Sequence, residues 1–232
     1  MGPQTDQRVR SAAKRPQRVS SESILVPPIG LEGILDVPAT ARGIVLFAHG
    51  SGSSRLSPRN NYVAGALRAA GFGTLLFDLL TEEEAASRAR VFDIPLLSQR
   101  LEAAAQWVGR YKPTFGLPVG FFGASTGAAA ALVAAARSPD AVAAVVSRGG
   151  RPDLAGGELR KVQAPTLLIV GGDDHEVLAL NRAAFAELLC EKDLRVVPGA
   201  RHLFEEPGKL DEVIELARAW FRSYLALRIP GG

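Results

Sequence analysis

The sequence predicts an α/β protein: a mostly parallel sheet with helices on both faces, forming a single domain over residues 21–232. Three observations carry this. Short strand-like runs at 43–48, 73–79, 119–122, 141–146, 165–170 and 194–197 alternate with segments of helical periodicity, the rhythm that builds a parallel sheet covered on both sides. The run G-I-V-L-F-A at 43–48 is apolar throughout, as a strand buried on both faces requires. The polar residues capable of chemistry fall at or just after predicted strand ends: His49, Asp78, Ser125, Arg148, Asp174 and His202. Sites in such sheets collect at the carboxyl ends of strands.

Taken in order, 23–26 and 31–37 alternate apolar with polar or small residues around Pro27-Pro28-Ile29-Gly30, a hairpin-like start. After the 43–48 strand comes the loop His49-Gly50-Ser51-Gly52-Ser53-Ser54. Ser57 as N-cap and Pro58 at the first helical position then open a helix that stops at Gly71. Thr81-Glu82-Glu83-Glu84 is a capping box ahead of a short charged helix. A longer helix begins at Pro95 and runs through Leu97, Leu101, Ala105 and Val108. The strand 141–146 leads into a loop at 148–153. The strand 165–170 leads into Gly171-Gly172-Asp173-Asp174-His175-Glu176 and a helix over about 177–189. A last strand at 194–197 and the loop at 198–202 precede an amphipathic helix over about 208–227.

With 232 residues, 47% of them hydrophobic, the chain can bury one sizeable core. No apolar run of about 18 residues is present, so no transmembrane helix is expected, and no signal-peptide core follows the basic start. A lone Cys190 excludes an intramolecular disulfide and a cysteine-based zinc site, and fits a cytoplasmic setting. The net charge of +3 is uneven. Residues 1–20 carry Arg8, Arg10, Lys14, Arg15 and Arg18 against Asp6, a sum of +4, which leaves −1 for the rest. A body so close to neutral has no nucleic-acid footprint. The basic segment has no aromatics and no apolar face, and reads as a disordered tail.

Residues 117–139 organise the chemistry. A short strand, the turn Gly123-Ala124-Ser125-Thr126-Gly127 and an alanine-rich helix make the G-x-S-x-G nucleophile elbow. The turn needs small neighbours because strand and helix approach closely around a strained serine. Ser125 is the candidate nucleophile. The oxyanion hole is expected from the backbone N–H groups of Thr126 and Ser51. His49, just before that loop, reads as a packing and loop-bonding residue. Arg55, Arg59, Arg148 and Arg151 lie at the same sheet end. They either pair with acids such as Asp78 and Asp153, or face the pocket and favour anionic substrates. Asp173-Asp174-His175 is a weak metal pattern, because successive residues in a tight turn rarely converge on one ion; no metal and no cofactor are expected.

Jointly and in order, H-G-S-G-S-S at 49–54, G-A-S-T-G at 123–127, G-G-D-D-H-E-V at 171–177 and G-A-R-H-L-F at 199–204 resemble the α/β-hydrolases. Within them the chain is similar to the dienelactone-hydrolase-like family, over roughly residues 22–227. The resemblance implies a triad of Ser125, Asp174 and His202, in that family's chain order. Its G-x-x-D-x-x-V pattern selects Asp174, with Asp173 the alternative one residue away. Dienelactone hydrolases proper use a cysteine nucleophile, whereas position 125 is serine, which points to a general serine esterase. The chain is too short for an inserted cap domain. A pocket roofed by short loops is therefore implied, with Leu79, Leu80, Phe92, Phe204, Arg55 and Arg148 as candidate substrate contacts. The expected activity is hydrolysis of small carboxylic esters, lactones or thioesters. Alternatives are organophosphate triester hydrolysis or acyl transfer by the same nucleophile, and a non-catalytic binding module. The expected partner is a small-molecule ester, not nucleic acid or membrane, and the oligomeric state stays open.

Overall fold

In the computed structural model, which describes residues 20–225, the chain opens with β1 (Ser20–Val26) and β2 (Leu31–Val37), an antiparallel pair. The basic tail expected over residues 1–20 lies, apart from Ser20, outside the described residues. There follow β3 (Ile44–Ala48), α1 (Pro58–Ala69), β4 (Gly73–Phe77), the short α2 (Glu82–Ala85) and α3 (Arg88–Val91), and α4 (Ile94–Val108). The G-x-S-x-G turn lies between β5 (Val119–Ala124) and α5 (Thr126–Arg137). Then come β6 (Ala144–Arg148), β7 (Thr166–Gly171), α6 (His175–Glu187), β8 (Lys192–Val197) and α7 (Lys209–Tyr224).

One eight-stranded sheet runs β1-β2-β4-β3-β5-β6-β7-β8. From β4 to β8 every neighbouring pair is parallel, and β2 joins β4 antiparallel. The order doubles back once: β3 to β4 steps outward, and β4 to β5 returns across β3. Such a reversal opens a crevice at the carboxyl ends of the strands on either side of it. His49 follows β3, Ser125 follows β5 and Arg148 ends β6 on this one edge.

The apolar runs form strands because each strand serves two cores. In β3, Ile44, Leu46 and Ala48 face a core shared with α4 and α5. Val45 and Phe47 face a second core under α1 and α7. Phe121 and Phe122 of β5 divide in the same way. Each fully buried Leu or Phe contributes about 1.5–3 kcal/mol, so a two-sided strand cannot slip register without losing most of that. Local signals set the helix starts. Ser57 accepts the Asn60 N–H with Pro58 at the first position of α1. At α2 the Thr81–Glu84 capping box closes in both directions.

Two differences from the sequence reading have physical causes. The strand expected at 141–146 is found as Ala144–Arg148, since Ala141 turns back to Ser138 and pairing with β5 begins at Gly120↔Ala144. An apolar run understates a strand whose last residues, Ser147 and Arg148, are polar yet buried. The stretch expected as a loop from 148 contains 3-10 turns over Pro152–Lys161, packed against α5 and α6. No cap domain interrupts the described residues. Among them, no helix is long and apolar enough to cross a membrane.

Candidate active site

Ser125 sits between β5 and α5 with φ 52° and ψ −124°, a left-handed conformation that a side chain adopts only when its surroundings impose it. The imposing contacts are backbone. A Cβ on Gly127 would fall 2.1 Å from the Ala48 carbonyl oxygen, and one on Gly123 would fall 2.5 Å from Ala128 Cα. Strand, loop and helix therefore meet here with no space for side chains. The Arg151 N–H donates to the Ser125 carbonyl at 3.0 Å, and the Ser125 N–H reaches Arg148 O at 3.4 Å. Ser125 is thus held from both sides by the segment that ends β6.

His202 is brought in by the loop after β8. That loop is tied to the end of β7: the Gly172 N–H donates to Val197 O at 2.8 Å and the Asp173 N–H to Ala200 O at 3.0 Å. Gly171 permits the approach, since a Cβ there would lie 2.3 Å from Ala200 O. The same tie separates the two candidate acids. Asp173 spends its backbone on the neighbouring loop with its side chain exposed. Asp174 precedes α6 without capping it, and its Oδ2 lies 2.8 Å from His202 Nδ1. With Nδ1 donating to the carboxylate, Nε2 is the nitrogen left to take a proton. Ser125 and His202 line one cleft of about 620 Å³, with Ser53, Ser54, Ser57, Arg59, Asn60, Arg148 and Leu203 among its other walls.

A family model described as "Dienelactone hydrolase family" matches residues 31–224. The chain belongs to the dienelactone hydrolase family. It is similar to a crystal structure of dienelactone hydrolase from Anabaena variabilis, with 55% identity, TM-score 0.85, and coverage of 90% of this chain and 98% of that one. Est1E from Butyrivibrio proteoclasticus shares the fold at TM-score 0.73 and 16% identity, over 88% of this chain and 98% of that one. Two Mycobacterium tuberculosis proteins, each named "Putative phosphoribosyl transferase", are 56% identical over 224 residues, 97% of this chain. The chain spans only about half of those relatives, 51% of their length.

Of the six candidate substrate contacts of the dienelactone-hydrolase-like reading, four line one or other of two cavities that share the Gly50–Ser54 loop, and two line neither. Leu79, Leu80 and Arg55 line a cavity of about 550 Å³ on the far side of that loop, together with Leu31, Val91 and Leu97. Arg55 is committed there to Asp78 and Glu32. Arg148 lines the cleft over Ser125. Phe92 and Phe204 line neither cavity: Phe92 is exposed, and Phe204 is buried in the α1–α7 core.

Thr126 heads α5, so its N–H has no acceptor within the helix. The Ser51 N–H, however, donates to Thr126 Oγ1 at 3.0 Å. The threonine hydroxyl thus sits between the two expected oxyanion donors, a contact that the motif did not signal. Asn60 also escaped the sequence reading, because a helix-interior asparagine carries no motif. It is buried, and its Oδ1 lies 3.5 Å from Arg148 Nη2. His49 has the packing role expected of it. Its Nε2 accepts the Leu79 N–H at 3.1 Å and its Nδ1 faces Gly50 O at 3.0 Å. Burial pushes its pKa down, against smaller upward effects of the Gly50 carbonyl and Asp78. No group of three or more His, Cys, Asp or Glu side chains among the described residues is placed to hold a metal ion.

Proposed function

We propose that this chain is a serine hydrolase of small carboxylic esters, lactones or thioesters, working through an acyl-enzyme. One observation carries the reading: a strained Ser125 shares its cleft with a histidine whose Nδ1 is bonded to Asp174. Ser125 Oγ attacks the carbonyl carbon while His202 Nε2 takes the hydroxyl proton. Asp174 holds the ring with Nε2 toward the serine and stabilises the imidazolium that forms. The carbonyl oxygen, now negative, is met by the Thr126 N–H at the head of α5, whose dipole favours the charge. Ser51 N–H is the second donor in this reading. It reaches the oxyanion when the Thr126 hydroxyl yields its place. Collapse breaks the bond to the leaving group, which departs with the proton from His202. Water repeats the sequence to free the acid and restore Ser125.

The transferase named for the mycobacterial relatives belongs to proteins about twice as long as this chain, and the site geometry here favours hydrolysis. A serine-directed phosphonate should label Ser125 alone. Ser125→Ala should abolish the burst of p-nitrophenol from p-nitrophenyl acetate and lower turnover by roughly a thousandfold or more. Labelling at Ser51, Ser53 or Cys190, or unchanged turnover in Ser125→Ala, would remove this reading.

A further inference from the structure

Arg148 stands out among the charged side chains of the cleft. It closes β6 beside the nucleophile strand, pairing with Ala124, and is only 7% exposed. Its Nε and Nη1 are buried with no hydrogen-bond partner, and its one side-chain hydrogen bond among the described residues is the long one to Asn60. No carboxylate among the described residues forms an ion pair with it. Desolvation, reinforced by the charge of Arg59, pulls its pKa down to about 10. Such a guanidinium is still a cation at neutral pH, and a buried cation without a counter-charge destabilises the fold that holds it. Groups of this kind persist where a ligand, not the protein, supplies the missing partner.

The surroundings indicate what that ligand is. Arg59 lines the same cleft, and its own partner, Glu205, is well exposed. No Asp or Glu lines the cleft among the described residues. The 12-residue α1 begins here, with Ser57, Pro58, Arg59 and Asn60 in the cleft wall, so the positive end of its dipole lies at the cleft. Ser54 Oγ accepts the Leu56 N–H and Ser57 Oγ accepts the Asn60 N–H, which leaves both hydroxyl protons free to donate. A carboxylate is answered by one planar fork. Here the donors come from the end of β6, the start of α1 and the serine loop, which suits a tetrahedral oxyanion with several acceptor edges.

We propose that the cleft over Ser125 binds a phosphoryl group carried by the substrate, held by Arg148 and Arg59 at the N-terminus of α1. The phosphoryl group does not react. It anchors a phosphorylated molecule whose carboxylic ester lies at Ser125, and it leaves the site intact on the alcohol or acid product. Which bond is cut rests on the ester-hydrolase reading above; the anion site itself does not.

The test separates the two. Inorganic phosphate titrated calorimetrically into the Ser125→Ala protein should bind, and Arg148→Gln should weaken that binding at least about tenfold, the loss expected for one charged contact. With active enzyme, O-acetyl glycerol phosphate should exceed acetyl glycerol in kcat/KM by about thirtyfold or more, an advantage largely lost in Arg148→Gln and only partly kept in Arg148→Lys. Arg148→Met should raise the melting temperature by about 2–4 °C, because it removes an unanswered buried charge. A structural arginine would do the opposite, so a fall in melting temperature overturns the proposal. An equal gain for an acetyl ester bearing a carboxylate overturns the phosphoryl assignment, as does release of inorganic phosphate with the ester intact. Turnover of neutral esters without phosphate binding removes the anion site and spares the esterase. Phosphate binding that depends on Arg148, without turnover of any ester, does the reverse.

Discussion

At the scale of single residues, the course of the backbone sends two adjacent aspartates in different directions. Asp173 directs its N–H to Ala200 O and leaves its carboxylate in solvent. Asp174, one residue on, turns its carboxylate to His202 Nδ1 at 2.8 Å. The side chains of this pair are 16% and 38% exposed, so the bond is partly shielded from water and its orienting effect outlasts added salt. Asp174→Asn should therefore lower kcat by roughly 10⁴-fold, because the amide holds the wrong imidazole tautomer. Asp173→Asn should leave kcat within about threefold. Steady-state rates on p-nitrophenyl acetate check both, and the reverse ranking would place the acid at Asp173. The motif register could choose between them because G-x-x-D fixes how far past β7 the carboxylate lies. It could not show that Asp173 has a backbone task of its own.

Elements meet most tightly where β3, its loop and α5 converge. Gly127 packs its α-carbon against the Ala48 carbonyl with no space for a methyl group, and the displaced neighbour would be a central strand. Gly127→Ala should cost more than about 4 kcal/mol of stability, the range reserved for steric breakage of a packed site; urea denaturation measures it, and a loss under 1 kcal/mol would contradict the packing. The Ser51–Thr126 bond ties the same loop to α5 from the other side. Thr126→Val keeps the shape and deletes the acceptor. In the proposed mechanism the hydroxyl and the oxyanion compete for the Ser51 N–H, so kcat should rise about threefold with the melting temperature nearly unchanged. A fall in kcat of about tenfold would show instead that the hydroxyl is needed to pin the loop. The elements themselves were readable because each has a local cause. Two-sided strands are apolar runs, α1 has Ser57-Pro58, and α2 has its capping box. That Ser125, Asp174 and His202 lie at one edge of the sheet was readable because strand ends bring together residues that lie far apart in sequence. Pocket membership was not. Leu79 and Leu80 turn to one side of the Gly50–Ser54 loop, Arg148 to the other, and Phe204 inward. Side-chain direction at a strand end depends on loop conformation, which no periodicity encodes.

For the molecule as a whole, the sheet's one reversal places the loops after β3 and β4 side by side, and His49 bolts them together. Its Nε2 must be unprotonated to accept the Leu79 N–H, while Nδ1–H donates to Gly50 O. Protonation would set two N–H groups against each other at the wall of the cavity. Burial accordingly lowers the folded-state pKa of His49, whereas in the unfolded chain the ring titrates near the ordinary value of about 6.5. As pH falls through that value, the unfolded state takes up a proton that the folded state resists. Stability then drops with falling pH, and it goes on dropping until the folded His49 is itself protonated. Glu102 works with the opposite sign at lower pH: burial raises its carboxyl pKa against the pull of Arg137, so the folded state binds that proton first. The expected outcome is a melting temperature that declines over the interval below about pH 6.5, where the unfolded ring takes up its proton. His49→Asn should start from a lower plateau, having lost the bolt, and show a distinctly shallower decline over that interval. Melting curves of both proteins at half-unit steps in one buffer series make the comparison, and equal slopes would mean that the acid sensitivity of the fold resides elsewhere.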